Sequence, residues 1–306
     1  MNRARHEHRR GNSERARYIL GWLDRHQHFG GSDCNRVATL CREVLRASYP
    51  IARGQPGFNL VDVAMTDLLE FEGIAETLGP ILDVGPIRAK LARSLHNDGP
   101  LPPDDATRNS NGRDAQWELV VAATLVRAGG SLNPTPADEN ALPDWQVRMP
   151  RSMIWAVEAK CVKSRNENRI VSATTDAIGQ IERTSKPGIV MVDLTRRGNP
   201  TLTSVPSEAT NERLREFHHQ QGEELELLLR SRVLNRVQSH YTAFFAFRDQ
   251  IPRSASRDRA ASAGLIACWN FVMNPHFDKH LAREAERLWR RLGWAQPGNR
   301  LESSVT

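Results

Sequence analysis

One stretch of the chain places a carboxylate and an amine where both need a reason. The segment Met153–Cys161, MIWAVEAKC, reads as a β-strand with Ile154, Ala156, Glu158 and Lys160 on one face and Trp155, Val157, Ala159 and Cys161 on the other. A strand that is apolar on both faces is normally central in a sheet covered by helices. Charges at its C-terminal end require partners or a purpose, because isolated buried charges are costly or ionise abnormally. The preceding strand-like run, Pro143–Met149, opens on Pro143-Asp144, which brings a second carboxylate to the same rim if the two strands pair. Two carboxylates meeting there form a hard, oxygen-rich site that suits Mg²⁺ or Mn²⁺ and suits zinc poorly. Lysine is also scarce: of 42 basic residues only Lys90, Lys160, Lys163, Lys186 and Lys279 are lysines, and Glu158-Ala159-Lys160 is the one acidic-x-Lys triplet in the sequence. Arginine stays protonated, whereas lysine can give up its proton, so each of these is worth asking about.

The elements that must position these residues lie beyond a seam at Asn97–Gly112, NDGPLPPDDATRNSNG, whose Pro, Gly, Asp and Asn content predicts an exposed linker. Residues 1–96 read as a helical N-terminal domain with a basic tail. Its helices fall over Ser13–His28, Asp33–Tyr49, Leu60–Leu78 and Ile87–Leu95, and it carries no catalytic signature. Residues 113–306 change to mixed α and β. A helix over Arg113–Ala128 stops at Gly129-Gly130, and the strands Pro143–Met149 and Met153–Cys161 follow. Next come a helix from about Arg169 to Thr184, a buried strand Gly188–Leu194 and a long helix from about Thr210 to Gln238. Strands Tyr241–Phe247 and Ala263–Met273 and a helix Phe277–Leu292 close the chain, and a further short strand fits Ser131–Pro134. Helices alternating with a central mixed sheet define an α/β fold class.

Pro143-Asp144, thirteen residues, then Glu158-Ala159-Lys160 resembles the PD-(D/E)xK signature of the restriction-endonuclease-like nuclease superfamily. Two flanking residues resemble the same family: Glu118 on the helix before the core strands, and Gln180 on the helix after the Glu-x-Lys strand. Thr184 stands where many relatives continue Gln-xxx-Tyr, so the subfamily is left open. Over roughly residues 113–195 the resemblance implies a restriction-endonuclease-like core, a mixed central sheet flanked by helices. It also implies metal-dependent hydrolysis of phosphodiester bonds, in DNA more than in RNA, in host defence or DNA repair. Asp144 and Glu158 would hold one or two Mg²⁺ ions, with Mn²⁺ able to substitute, helped by the Ala159 carbonyl, and Glu118 would complete the shell through water. Lys160 would orient or deprotonate the attacking water, and Gln180 would position Lys160, the water or the scissile phosphate.

The rest of the sequence is consistent with a polyanionic partner. The net charge is +6, and Lys163, Arg165 and Arg169 follow Lys160 directly, where a substrate backbone would pass. Arg253, Arg257 and Arg259, in the segment RSASRDR between the last two strands, offer either further phosphate contacts or a solvated hairpin connection. Arg3, Arg5, Arg9, Arg10, Arg15 and Arg17 form either a phosphate-binding arm or a solvated tail. Asp193 reads as a strand-end carboxylate. The histidines at His6/His8, His26/His28 and His218/His219 lack a third ligand at metal spacing. Four cysteines without a CxxC pair argue against a zinc knuckle or a disulfide scaffold. With 39% hydrophobic residues a sizeable core is expected. No apolar run reaches the roughly 20 residues of a membrane span, and the start MNRARHEHRR leads into no signal-like apolar stretch. The expectation is a cytoplasmic protein, with a homodimer or protein partner contacted through the N-terminal domain. A second reading stays open: a non-catalytic or partner-gated nucleic-acid-binding protein that retains the nuclease fold.

Overall fold

The structure is a computed structural model that describes residues 11–26, 35–46, 60–95, 111–134, 142–150, 152–162, 166–194, 211–253 and 264–294. Four helices come first: α1 (Asn12–Arg25), α2 (Arg36–Arg46), α3 (Leu60–Leu78) and α4 (Gly85–Leu95). Then follow α5 (Asn111–Arg127), β1 (Ser131–Pro134), β2 (Trp145–Arg148), β3 (Ile154–Cys161), α6 (Glu167–Glu182) and β4 (Gly188–Asp193). The chain continues through α7 (Asn211–Leu229), β5 (Thr242–Arg253), β6 (Gly264–Met273) and α8 (Ala282–Trp294). This is an α/β protein built on one mixed six-stranded sheet, in which the strands lie side by side in chain order.

The two hydrophobic faces of that sheet are covered by different helices. β3 and β4, and β4 and β5, run parallel, each pair joined through a helix, while β1–β2–β3 and β5–β6 are antiparallel. Side chains alternate as the pleat requires. Ala156, Val190, Val192 and Phe245 pack beneath Ile170 and Ile178 of α6 and Leu225 and Leu229 of α7. Trp155, Val157, Met191 and Phe244 face the other way, in one continuous cluster with Leu119 of α5, Leu288 of α8 and residues of the first four helices such as Ile19, Leu40, Phe71 and Leu91. Two close approaches fix the framework. Gly129 ends α5 at φ +90°, which favours glycine, and a side chain on Gly188 would strike Ile181 of α6 and the Ala156 carbonyl of β3.

Most expected elements are present, with shifts at their ends that have physical causes. Ser131–Pro134 does form a strand, pairing with β2 at the sheet edge. β5 is longer than the apolar run Tyr241–Phe247. It continues through Asp249 and Pro252 because β6 pairs with it as far as Arg253↔Gly264, beyond the end of β4. Past that end, among the described residues, one side of β5 faces no strand, where a proline without an N–H is tolerated. The closing helix begins at Ala282 rather than Phe277, because the Asn274 amide is committed to a turn, donating to the carbonyls of Ser239 (3.1 Å) and Thr242 (2.7 Å). The long helix reaches Leu229 in α form and finishes as a π turn, Arg230–Leu234. Most of the expected linker 97–112 lies outside the described residues. Among the described residues no helix is long and apolar enough to cross a membrane.

Candidate active site

Register brings the two central carboxylates together. β2 pairs with β3 from Arg148↔Ile154 to Trp145↔Val157, so one step further on Asp144 stands beside Glu158. The contact is reciprocal. The Asp144 backbone N–H donates to Glu158 Oε2 (3.0 Å), and the Ala159 N–H donates to Asp144 Oδ2 (3.1 Å). Lys160 meets the other Glu158 oxygen, Oε1, at 2.5 Å. On its far side the Lys160 ammonium donates to Gln180 Oε1 of α6 at 2.8 Å. Small neighbours on that helix, Ala173 and Ala177, let the amide approach the sheet, and Asn166 caps the helix by accepting from the Asn168 N–H. Glu158 is nearly sealed, with 3% of its side chain exposed, whereas a quarter of the Lys160 side chain reaches solvent.

Glu118 enters from the opposite face, on α5. It joins the site through Lys90, a residue that the sequence marks only as one of five scarce lysines and does not place beside Glu118 or Asp144. Lys90 of α4 donates to both Glu118 Oε2 and Asp144 Oδ1, the latter at 2.8 Å. Its ammonium also lies 5.1 Å from the centre of the Trp145 ring, close enough for a cation–π contact. The Trp145 indole N–H donates to the Glu118 carbonyl (3.1 Å), which ties β2 to α5 at the same point. Arg93, one turn further along α4, reaches Glu118 Oε2 at 3.4 Å with half its side chain in solvent. A signal for Lys90 was in the sequence. It occupies the buried stripe of α4, with Ile87, Leu91, Ser94 and Leu95, where a lysine needs an acidic partner.

The ionisation behaviour follows from this crowding. Burial and the neighbouring Asp144 charge push the Glu158 carboxyl up to about 8, against the pull of Lys160. Burial and Asp144 also raise Glu118, with Lys90 working the other way. Burial by itself would lower the Lys90 amine, but Asp144 and Glu118 outweigh it and hold the ammonium above its usual range. Glu118, Asp144, Glu158, Lys160 and Gln180 therefore form one connected set, with Lys90 added at its centre. Arg169 is exposed on the first turn of α6. Arg253 is the last residue of β5, and Lys163, Arg165, Arg257 and Arg259 lie outside the described residues.

Three carboxylates supply only hard oxygen donors, which fits Mg²⁺ or Mn²⁺. The Lys90 ammonium already stands as a cation between two of them. Among the described residues no group of three or more His, Cys, Asp or Glu side chains forms a ready-made metal cage. The carboxylates are instead spanned by ammonium groups.

Asp193, at the end of β4, belongs elsewhere. Arg248 of β5 donates through Nε to Asp193 Oδ1 (3.2 Å) and through Nη1 to Glu70 Oε1 of α3 (2.7 Å), while its guanidinium lies 4.2 Å from the Trp117 ring centre. Glu70 also accepts from Gln116 (2.5 Å), and Asp67 pairs with Arg36 (3.0 Å) and Arg113. Every one of these charged groups is buried. Comparison of the chain with protein-family models, with curated proteins and with solved structures finds no match.

Proposed function

We propose that this chain is a divalent-metal-dependent nuclease of the PD-(D/E)xK type, hydrolysing phosphodiester bonds in DNA, with a restriction-endonuclease-like core behind a helical N-terminal domain. The observation that carries the reading is the convergence of Asp144, Glu158 and Lys160 at one rim, with Lys160 held from behind by Gln180. Asp144 and Glu158 would hold the metal, with Glu118 beside them. A bound Mg²⁺ supplies charge stabilisation at the scissile phosphate. Gln180 fixes the Lys160 ammonium in one direction, and Lys160 is the most exposed of the three motif residues, so it is the group placed to orient an attacking water or, once it is the neutral amine, to take that water's proton. The buried Glu158 carboxyl must give up its proton for the metal to bind, which a site crowded with ammonium groups assists. Net charge of +6 favours a polyanion, and host defence or DNA repair are the settings that the family resemblance implies.

The test is incubation with supercoiled plasmid, linear duplex, single-stranded DNA and RNA, each with Mg²⁺, Mn²⁺ or EDTA, beside Asp144→Asn and Lys160→Ala. Metal-dependent cutting of DNA that both substitutions abolish is the expected result. Cutting that survives both would remove these residues from the mechanism. A gel shift of DNA without cutting would favour the non-catalytic or partner-gated binder.

A further inference from the structure

Lys90 stands as a cation between two of the three carboxylates. Its ammonium bridges Glu118 and Asp144, the pair of carboxylates on the α5 side, whereas Asp144 and Glu158 are joined to each other by a backbone N–H hydrogen bond. It is not a passing contact. Only 10% of the side chain is exposed, the Trp145 ring covers it, and α4 is anchored through the buried Ile87, Leu91 and Leu95. Withdrawal would leave two mutually repelling carboxylates without their partner, which is costly in a buried setting. The charges agree. Glu118, Asp144 and Glu158 against Lys90 and Lys160 leave one negative charge, with the half-exposed Arg93 screened by solvent. One divalent cation together with one phosphodiester makes that set neutral, whereas a second divalent cation would leave it strongly positive.

Resting on the nuclease reading, we infer that Lys90 is a resident cation that takes the second metal position, so that this is a one-metal site. Lys90 is thus a positioning residue: it holds Glu118 and Asp144 in place and excludes an ion from between them. Glu118 serves Lys90 rather than the metal.

The experiment counts Mn²⁺ ions bound at saturation, by the loss of the free-ion paramagnetic resonance signal, in the full chain without substrate. The wild type binds one ion, Glu118→Gln still binds one, Lys90→Met binds two, and the double variant K90M/E118Q returns to one. Lys90→Met keeps the aliphatic stem against Trp145, and the Glu118→Gln arm needs no change at Lys90, so the inference is tested even if the lysine variant does not fold. Two ions in the wild type, a count that falls in Glu118→Gln, or a folded Lys90→Met that gains no ion would each overturn it while leaving the nuclease reading standing. No bound Mn²⁺ in the wild type or any variant would sink the nuclease reading, and this inference with it.

Discussion

Helix α5 contributes to two clusters of charge, and they are built from different cations. Toward β2 and β3, Glu118 joins Asp144 and Glu158 with Lys90 and Lys160, so acids outnumber the contacting ammoniums, and Lys160 is open to solvent. Toward α3 and β5, Arg113 and Gln116 join Asp67, Glu70 and Asp193 with Arg36 and Arg248, and there the charges balance and every group is buried. In a chain with five lysines, two stand in the first cluster and none in the second. The difference separates two uses of buried charge. Arginine, whose fork holds several acceptors and never loses its proton, suits a permanent tie between α2, α3, α5 and the sheet. Lysine, a point charge whose proton can leave, suits the exchange of ions and protons that the proposed nuclease site requires. The pull of Asp193 and Glu70 on Arg248 outweighs its burial and raises an already high pKa.

The comparison breaks most visibly at Lys160. Lys160→Ala should lower the cleavage rate by about 10²–10⁴-fold, with unfolding stability close to wild type because Glu158 can take up a proton; a large loss of stability with the rate intact would reverse the roles assigned here. Arg248→Met should do the opposite and cost about 3–5 kcal/mol in denaturant unfolding, because it strands Glu70 and Asp193 in the interior. Activity in that variant should follow the folded fraction alone.

Proton linkage sharpens the contrast next. Without metal, the Glu158 carboxyl of the folded protein titrates near 8 against an ordinary 4.5. Its contribution to stability is therefore fully present below pH 4.5 and is lost as pH rises through 8. Urea midpoints measured in EDTA should fall across that window in the wild type and fall less in Glu158→Gln; parallel curves would show that Glu158 is not the titrating group. Mn²⁺ affinity should rise over the same range, since the ligand must be ionised. The smallest effect belongs to Gln180→Ala, which removes one hydrogen bond from Lys160 and should slow cleavage by about 10-fold, equivalent to roughly 1.4 kcal/mol. Wild-type rates in Gln180→Ala would show that the amide does not orient the lysine.

How much of this was legible depended on whether a residue's environment was written next to it in the chain. β3 could be read because it is apolar on both faces, and once it was placed, Asp144 followed from the register of one antiparallel pair. α3 was legible end to end as Leu60–Leu78, since its hydrophobic period does not break. Lys90 was not placed, because its partners lie 28 and 54 residues away and no local pattern names them. Its position on an apolar stripe was readable as a demand for a partner, but not as the address of one. The arginine network was missed for the same reason: Arg248 meets Glu70 across 178 residues. The extra length of β5 was hidden because Asp249 and Pro252 look like loop residues until β6 is known to lie alongside.

Strands that neighbour one another in the order of the chain have a consequence for how the protein is made. Synthesis releases the chain from its N-terminus at a pace slow enough for early segments to begin packing. Lys90, Glu118, Asp144, Glu158, Lys160 and Gln180 have all left the ribosome while Arg248 is still to be translated, so the site can assemble before the arginine tie is closed. During that interval β4, apolar on both faces, is the growing edge of the sheet, and Glu70 and Asp193 lack their guanidinium. A pause in translation ahead of β5 would hold the nascent protein in its stickiest form, and a chain cut short there would carry every residue of the proposed site named above but not the buried arginine tie.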